Sequence, residues 1–227
     1  SITPAPTADA SMSNMPPATG VPSARPVKAA AAGVTRPAMA WLSIGWGGNW
    51  EELKSAAGGV TSVRAEFVQE KHMKILARPL ISSGVFYYQA PASLRWEYRS
   101  PLRNVLLMDA ERTERWVETA GRLVKESGVN LQAMQMVLEQ ISQWLDGRFD
   151  ENPMFSARLD PDHVIVMAPR EPALAKMIQR IEVRLSKRPG VIDTVTIYEA
   201  DASFTRLVFN NVSLNSPIDQ ALFRQVP

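Results

Sequence analysis

The stretch Thr61-Ser62-Val63-Arg64-Ala65-Glu66-Phe67-Val68 decides the fold. Val63, Ala65 and Phe67 alternate with Arg64, Glu66 and Val68, and a period of two is that of a strand with one face buried. Just upstream the period is 3.6. Trp50, Leu53 and Ala57 share one side of a short amphipathic helix over 51–57, and Gly58-Gly59 is its stop signal. A helix therefore hands over to strands at Thr61.

Downstream the strand pattern repeats at Ser82 to Tyr88, Ser93 to Arg99, Arg103 to Met108, Thr113 to Glu118 and Arg122 to Glu126. The connections carry turn chemistry: Ala90-Pro91-Ala92, Ser100-Pro101, Asp109-Ala110-Glu111 and Ala120-Gly121. One helix interrupts the series. Leu131, Met134, Val137, Leu138, Ile141 and Leu145 recur at three- and four-residue spacing between Asn130, a candidate N-cap, and Gly147, a candidate C′ residue. Strands resume at Met154 to Leu159, His163 to Ala168, Met177 to Leu185, Val191 to Glu199 and Phe204 to Asn210, with tight connections at Asp160-Pro161-Asp162, Arg188-Pro189-Gly190 and Ala200-Asp201-Ala202. There is no βαβ alternation. The expected class is α+β, with one curved antiparallel sheet of about ten strands, and a sheet of that size curls toward a barrel wider than its own side chains fill. Two readings of the helices stay open: they plug the concave face as core, or they form a movable lid over an apolar cavity, for which the Met-rich middle helix is suited.

The chain has 227 residues, 45% hydrophobic and 21% charged, long enough for one domain with a real core. Residues 1–40 are set apart by proline, alanine, serine and threonine, and are expected to be a disordered or extended tether that cannot bury enough to fold alone. Trp41, Trp46 and Trp50 follow among glycines and are expected to dock on the domain at 41–227. The formal charge is +2, which leaves no excess to neutralise a row of phosphates, so nucleic acid is not an expected partner. No run of about 18 apolar residues exists, so no membrane-spanning helix is expected.

Catalytic constellations are weak. Cysteine is absent and His72 and His163 are the two histidines, so a thiolate zinc site, a thiol nucleophile and a disulfide framework fail for want of residues, and no cofactor or metal is expected. The carboxylate pairs Asp109 with Glu111 and Asp160 with Asp162 sit in turns and read as solvated turn residues rather than acid and base. Lys71, His72 and Lys74 follow the first strand, where a solvated loop and a site for an anionic head group are the two readings. The chain is not expected to be an enzyme.

Read in order, Phe67-Val68-Gln69-Glu70-Lys71, Pro79-Leu80-Ile81-Ser82-Ser83-Gly84-Val85-Phe86 and Pro91-Ala92-Ser93-Leu94-Arg95-Trp96 resemble the LolA family of outer-membrane lipoprotein carriers. Leu107-Met108-Asp109 before Arg115-Trp116-Val117 resembles the family's next hairpin. Phe209, Asn211-Val212, Asn215, Ile218-Asp219 and Phe223 to Pro227 resemble its closing strands. The resemblance covers roughly residues 50–227.

It implies an unclosed antiparallel barrel lidded by helices and exported to the periplasm. The implied role is a carrier whose apolar cavity takes the acyl chains of lipoproteins between an inner-membrane release complex and an outer-membrane acceptor, with no catalytic step. On the matching positions it puts Phe67, Phe86, Leu94, Trp96 and Trp116 at the cavity wall and Met134, Leu138, Ile141 and Leu145 on the lid. Carriage or sensing of another acyl lipid, glycolipid or pigment beside an exporter is the first alternative. The second is an interaction module without cargo, anchored to a membrane through a residue upstream of Ser1. One departure stands out: Ala90 occupies the place of the arginine that ties down the lid in the family's carriers, and loss of that latch is expected to ease opening and tighten binding.

Overall fold

Eleven strands in one antiparallel sheet follow from this alternation. The computed structural model describes residues 48–109, 112–126 and 140–226. The expectations for residues 1–40, Trp41, Trp46, Glu111, and for Asn130, Leu131, Met134, Val137 and Leu138 of the middle helix lie outside the described residues. The helix α1 (Trp50–Ala57) opens the described chain, with Asn49 Oδ1 accepting from the Glu52 amide at 2.9 Å as N-cap. A meander follows: β1 (Ser62–His72), β2 (Leu80–Gln89), β3 (Ser93–Ser100), β4 (Asn104–Asp109), β5 (Arg112–Thr119) and β6 (Arg122–Lys125). A helix at 140–145, α2, precedes β7 (Phe155–Asp160), β8 (Val164–Pro169), the short α3 (Pro172–Ala175), β9 (Ile178–Leu185), β10 (Ile192–Glu199) and β11 (Phe204–Leu214).

The sheet order is β6-β5-β4-β3-β2-β1-β11-β10-β9-β8-β7. The first and last strands of the chain's two halves pair through β1 and β11 at the centre, and β6 and β7 are the two edges, so the sheet is an unclosed barrel. Every neighbour is antiparallel. The strand ends therefore sort into two rims. One rim carries the β1–β2, β3–β4, β5–β6, β8–β9 and β10–β11 connections; the other carries β2–β3, β4–β5, β7–β8 and β9–β10.

The main core lies on the concave face. Phe67, Phe86, Leu94 and Trp96 from β1–β3 join Ile181, Val183 and Leu185 of β9, with Leu53 of α1 and Trp144 of α2 pressed onto them. Two glycines permit close approaches here. Gly84 faces Phe67 across the β1–β2 pair, and a Cβ on it would stand 2.9 Å from that ring and 1.9 Å from the Glu97 carbonyl oxygen. Gly147 ends α2 with φ +74°, as its place in the sequence implies, and a Cβ there would fall 2.9 Å from the Leu53 carbonyl of α1.

The convex face has its own anchor. Arg95 and Glu97 alternate outward from Leu94 and Trp96, yet both are buried, because the C-terminal residues cover them. The Glu97 carboxylate accepts from the Arg95 guanidinium at 2.7 and 2.9 Å, while Arg95 Nη1 donates to the Leu222 and Gln225 carbonyls at 3.0 and 2.9 Å. A 3₁₀ turn at Gln220–Phe223, capped by Asp219 and packed on β3 and β4, buries Phe223 completely. The expected closing strands thus end at Leu214, and Ile218-Asp219 and Phe223 belong to a clamp rather than to a strand.

The clamp is expected to weaken in acid. Burial alone would raise the Glu97 pKa, but the Arg95 guanidinium, helped by Arg99 and Arg103, outweighs it and holds the carboxyl below its usual range. Asp109 is lowered likewise, chiefly by its hydrogen bond from Arg224. A carboxylate with a depressed folded pKa stabilises the fold above the unfolded value, about 4, and loses that contribution as pH falls through the folded value. Urea midpoints are expected to hold from pH 7 down to about pH 5 and to drop below about pH 4, the drop shrinking in Glu97→Gln.

Candidate apolar binding cavity

A cavity of about 660 Å³ lies on the concave face. Its walls come from both halves of the sheet and from α2: Phe86 and Trp96 on one side, Ile181, Val195 and Leu207 on the other, and Ile141, Trp144 and Leu145 from α2. This volume is in the range of pockets that enclose a small ligand. Along β1 the wall runs from Val63 to Gln69, a span of about 20 Å at the rise of an antiparallel strand.

The wall is graded. At the level of Val63, Val191 and Val212 it is aliphatic, while near the rim of the β1–β2 connection it carries Gln69, Tyr98, Asn104 and Arg115. Tyr98 donates to Gln69 Oε1 at 2.8 Å. Among the described residues Arg115 is the one charged group on the wall; its guanidinium lies 3.1 Å from Glu126. Trp144 Nε1, buried on α2, donates to nothing among the described residues. At the far end, burial with the Asp146 carboxylate beside it pushes the Tyr88 phenol up to about 12, so this hydroxyl stays a neutral donor, bonded to the Pro91 carbonyl at 3.3 Å.

Of the residues singled out from the sequence, Phe86, Trp96, Ile141 and Leu145 line the cavity. Phe67 and Leu94 face the same side but are wholly buried behind it, Phe67 with its ring 5.2 Å from that of Trp96. Trp116 does not belong to the wall. It pairs with Val105, one residue out of phase with the Arg115 and Leu106 pair that lines the cavity, and its indole donates to Glu114 at 3.2 Å. In a strand that one-residue offset puts the side chain on the opposite face.

The far wall, from β9 to β11, was not singled out, although the alternation Val195 and Ile197, then Leu207 and Phe209, carries the signal for it. Val212 breaks that alternation and still lines the cavity. Arg64 pairs with Ser213 and Glu66 with Asn210, so Asn211 and Val212 together oppose Ala65 in a bulge, with Asn211 at φ +51°. The bulge reverses the facing and turns both Phe209 and Val212 inward.

Among the described residues no three His, Cys, Asp or Glu side chains gather into a metal site. Asp109 accepts from Ser93 and Arg224, and Asp160 is paired with Arg158, so these carboxylates hold turns and strand ends together. Ala90, in the β2–β3 connection, is exposed, and its amide donates to the Thr61 carbonyl at 2.9 Å.

An unclosed antiparallel barrel with an apolar hollow on its concave face is a half-barrel with room for an apolar ligand. The chain belongs to the family described as outer membrane lipoprotein carrier protein LolA, whose profile matches residues 58–226. A comparison with curated protein sequences returned no match. Similar solved structures include an outer-membrane lipoprotein-sorting protein domain from Vibrio parahaemolyticus, with 10% identity, TM-score 0.43, and coverage of 77% of this chain and 94% of that one. A LolA superfamily protein from Nitrosomonas europaea has 11% identity, TM-score 0.39, and coverage of 78% and 98%. MucB of Pseudomonas aeruginosa, solved in complex with MucA, has 17% identity, TM-score 0.40, and coverage of 78% and 60%.

Proposed function

We propose that this protein is a periplasmic carrier that shelters the acyl chains of lipoproteins in its concave cavity during transfer from the inner to the outer membrane, without a catalytic step. The observation that carries the reading is the 660 Å³ hollow with its aliphatic depth and polar rim. That gradient matches an amphiphile: the chain lies along Val63 to Gln69, and the polar end sits near Asn104 and Arg115. Burying about fifteen methylenes at about 0.8 kcal/mol each gives roughly 12 kcal/mol gross. Opening α2 from the sheet and ordering the chain subtract from this, so the cargo can leave to a better acceptor. An inner-membrane release complex and an outer-membrane acceptor are the implied partners.

The test is a titration with an apolar fluorescent probe, followed by competition. Saturable probe binding, displaced by a diacylglyceryl lipopeptide more effectively than by a glycolipid, is the expected result. No saturable binding would contradict a carrier, and preferential displacement by the glycolipid would move the cargo to another acyl lipid.

A further inference from the structure

The exposed large aliphatic side chains are not scattered. Ile75, Leu76, Leu80 and Ile81 lie in or beside the β1–β2 connection, Leu102 in the β3–β4 connection and Met177 immediately before β9. By the antiparallel order these positions all belong to one rim. Val124, the remaining one, is on the edge strand β6 that starts from the same rim. Among the described residues the opposite rim carries none. Ile75 is 83% exposed and Leu102 73%, a cost in water that isolated surface positions avoid and that a common plane of loop tips turns into a surface.

Charge accompanies the aliphatic tips. Lys74 and Arg78 flank Ile75 and Leu76, and neither forms an ion pair among the described residues. Lys176 adjoins Met177 and Arg103 adjoins Leu102. Of the nearby acids Glu199 is paired with Lys71, while Glu118, Glu171 and Asp201 form no ion pair among the described residues. Lys71 and His72, candidates for a head-group contact from sequence, are engaged within the sheet, His72 against Glu70 and stacked on Phe204. Among the described residues Lys74, Arg78 and Lys176 form no ion pair, while Arg103 is drawn to Glu97 at 3.5 Å.

We propose that this rim docks on an anionic phospholipid surface, with Ile75 and Leu76 entering the interface and Lys74 and Arg78 meeting the head groups. Short aliphatic pairs flanked by cations, spread over several loops, fit a fluid bilayer, which closes around each tip, whereas a folded partner offers a fixed shape to a continuous patch. Gln69 and Asn104, the polar end of the cavity wall, lie at this same rim. The inference stands on the rim's composition and does not depend on what the cavity carries.

Flotation of the full chain with cargo-free vesicles tests it. Vesicles of equal parts phosphatidylglycerol and phosphatidylethanolamine are expected to bind the protein, with affinity falling in high salt, and pure phosphatidylcholine vesicles to bind it far less. The exposed pairs Ile75→Ser with Leu76→Ser, and Lys74→Glu with Arg78→Glu, should each weaken binding about tenfold or more while leaving the thermal melt unchanged. Failure to float with the anionic vesicles, or wild-type binding by both pairs, overturns the proposal. Flotation only with vesicles carrying membrane proteins would also overturn it, in favour of a protein partner.

Discussion

Arg95→Met is expected to lower unfolding free energy by about 3 kcal/mol in a urea titration, the largest loss of any single substitution on the convex face. The side chain is 2% exposed and serves two ends of the chain at once. Its removal leaves Glu97, itself 5% exposed, without its shortest contacts and strips the Leu222 and Gln225 carbonyls of their donor. Arg99 and Arg103, at 3.6 and 3.5 Å from the carboxylate, keep part of the attraction, which holds the cost below that of a fully orphaned charge. Removing both partners in Arg95→Met with Glu97→Leu should cost less than Arg95→Met alone, because no buried charge is left unpaired. A single-variant loss below about 1 kcal/mol would show that the C-terminal clamp does not depend on this pair.

Val195→Trp is expected to weaken binding of an apolar probe at least about tenfold while changing stability by less than about 1 kcal/mol. Val195 sits at the middle of β10, between Leu207 and Val183, and lines the hollow. In a filled core the added rings would force neighbours off their rotamers at a cost of about 1 to 3 kcal/mol. Here they enter existing space, so the penalty falls on the ligand and not on the fold. Large destabilisation with unchanged probe binding would mean that the site is elsewhere.

Strand identity was legible because alternation is a local property, whereas the pairing of β1 with β11 at the centre of the sheet was not. Val63, Ala65 and Phe67 carry their facing in their spacing, and the turn residues at Ala90-Pro91-Ala92 and Arg188-Pro189-Gly190 bound the strands closely. Facing failed at Trp116 because the sequence around it, Arg115-Trp116-Val117, offers no apolar alternation to fix the phase. The aromatic side chain suggested the wall, whereas pairing with Val105 sends it outward. The bulge at Asn211 was equally hidden, since it appears only when β11 is laid against β1. The C-terminal clamp depends on contacts between residues over a hundred positions apart, from Arg95 to Leu222 and Gln225, which no window along the chain contains. The rim of aliphatic tips is likewise a product of topology: Ile75, Leu102 and Met177 become neighbours in level only because the strands alternate in direction.

Native mass spectrometry of the protein purified from its own host, compared with Val195→Trp prepared in parallel, bears most directly on the hollow. The wild type should carry an added mass matching an acyl lipid or lipopeptide, released on mild activation and largely missing from the variant. Bare polypeptide in both preparations, with no uptake of added lipopeptide, would contradict the carrier.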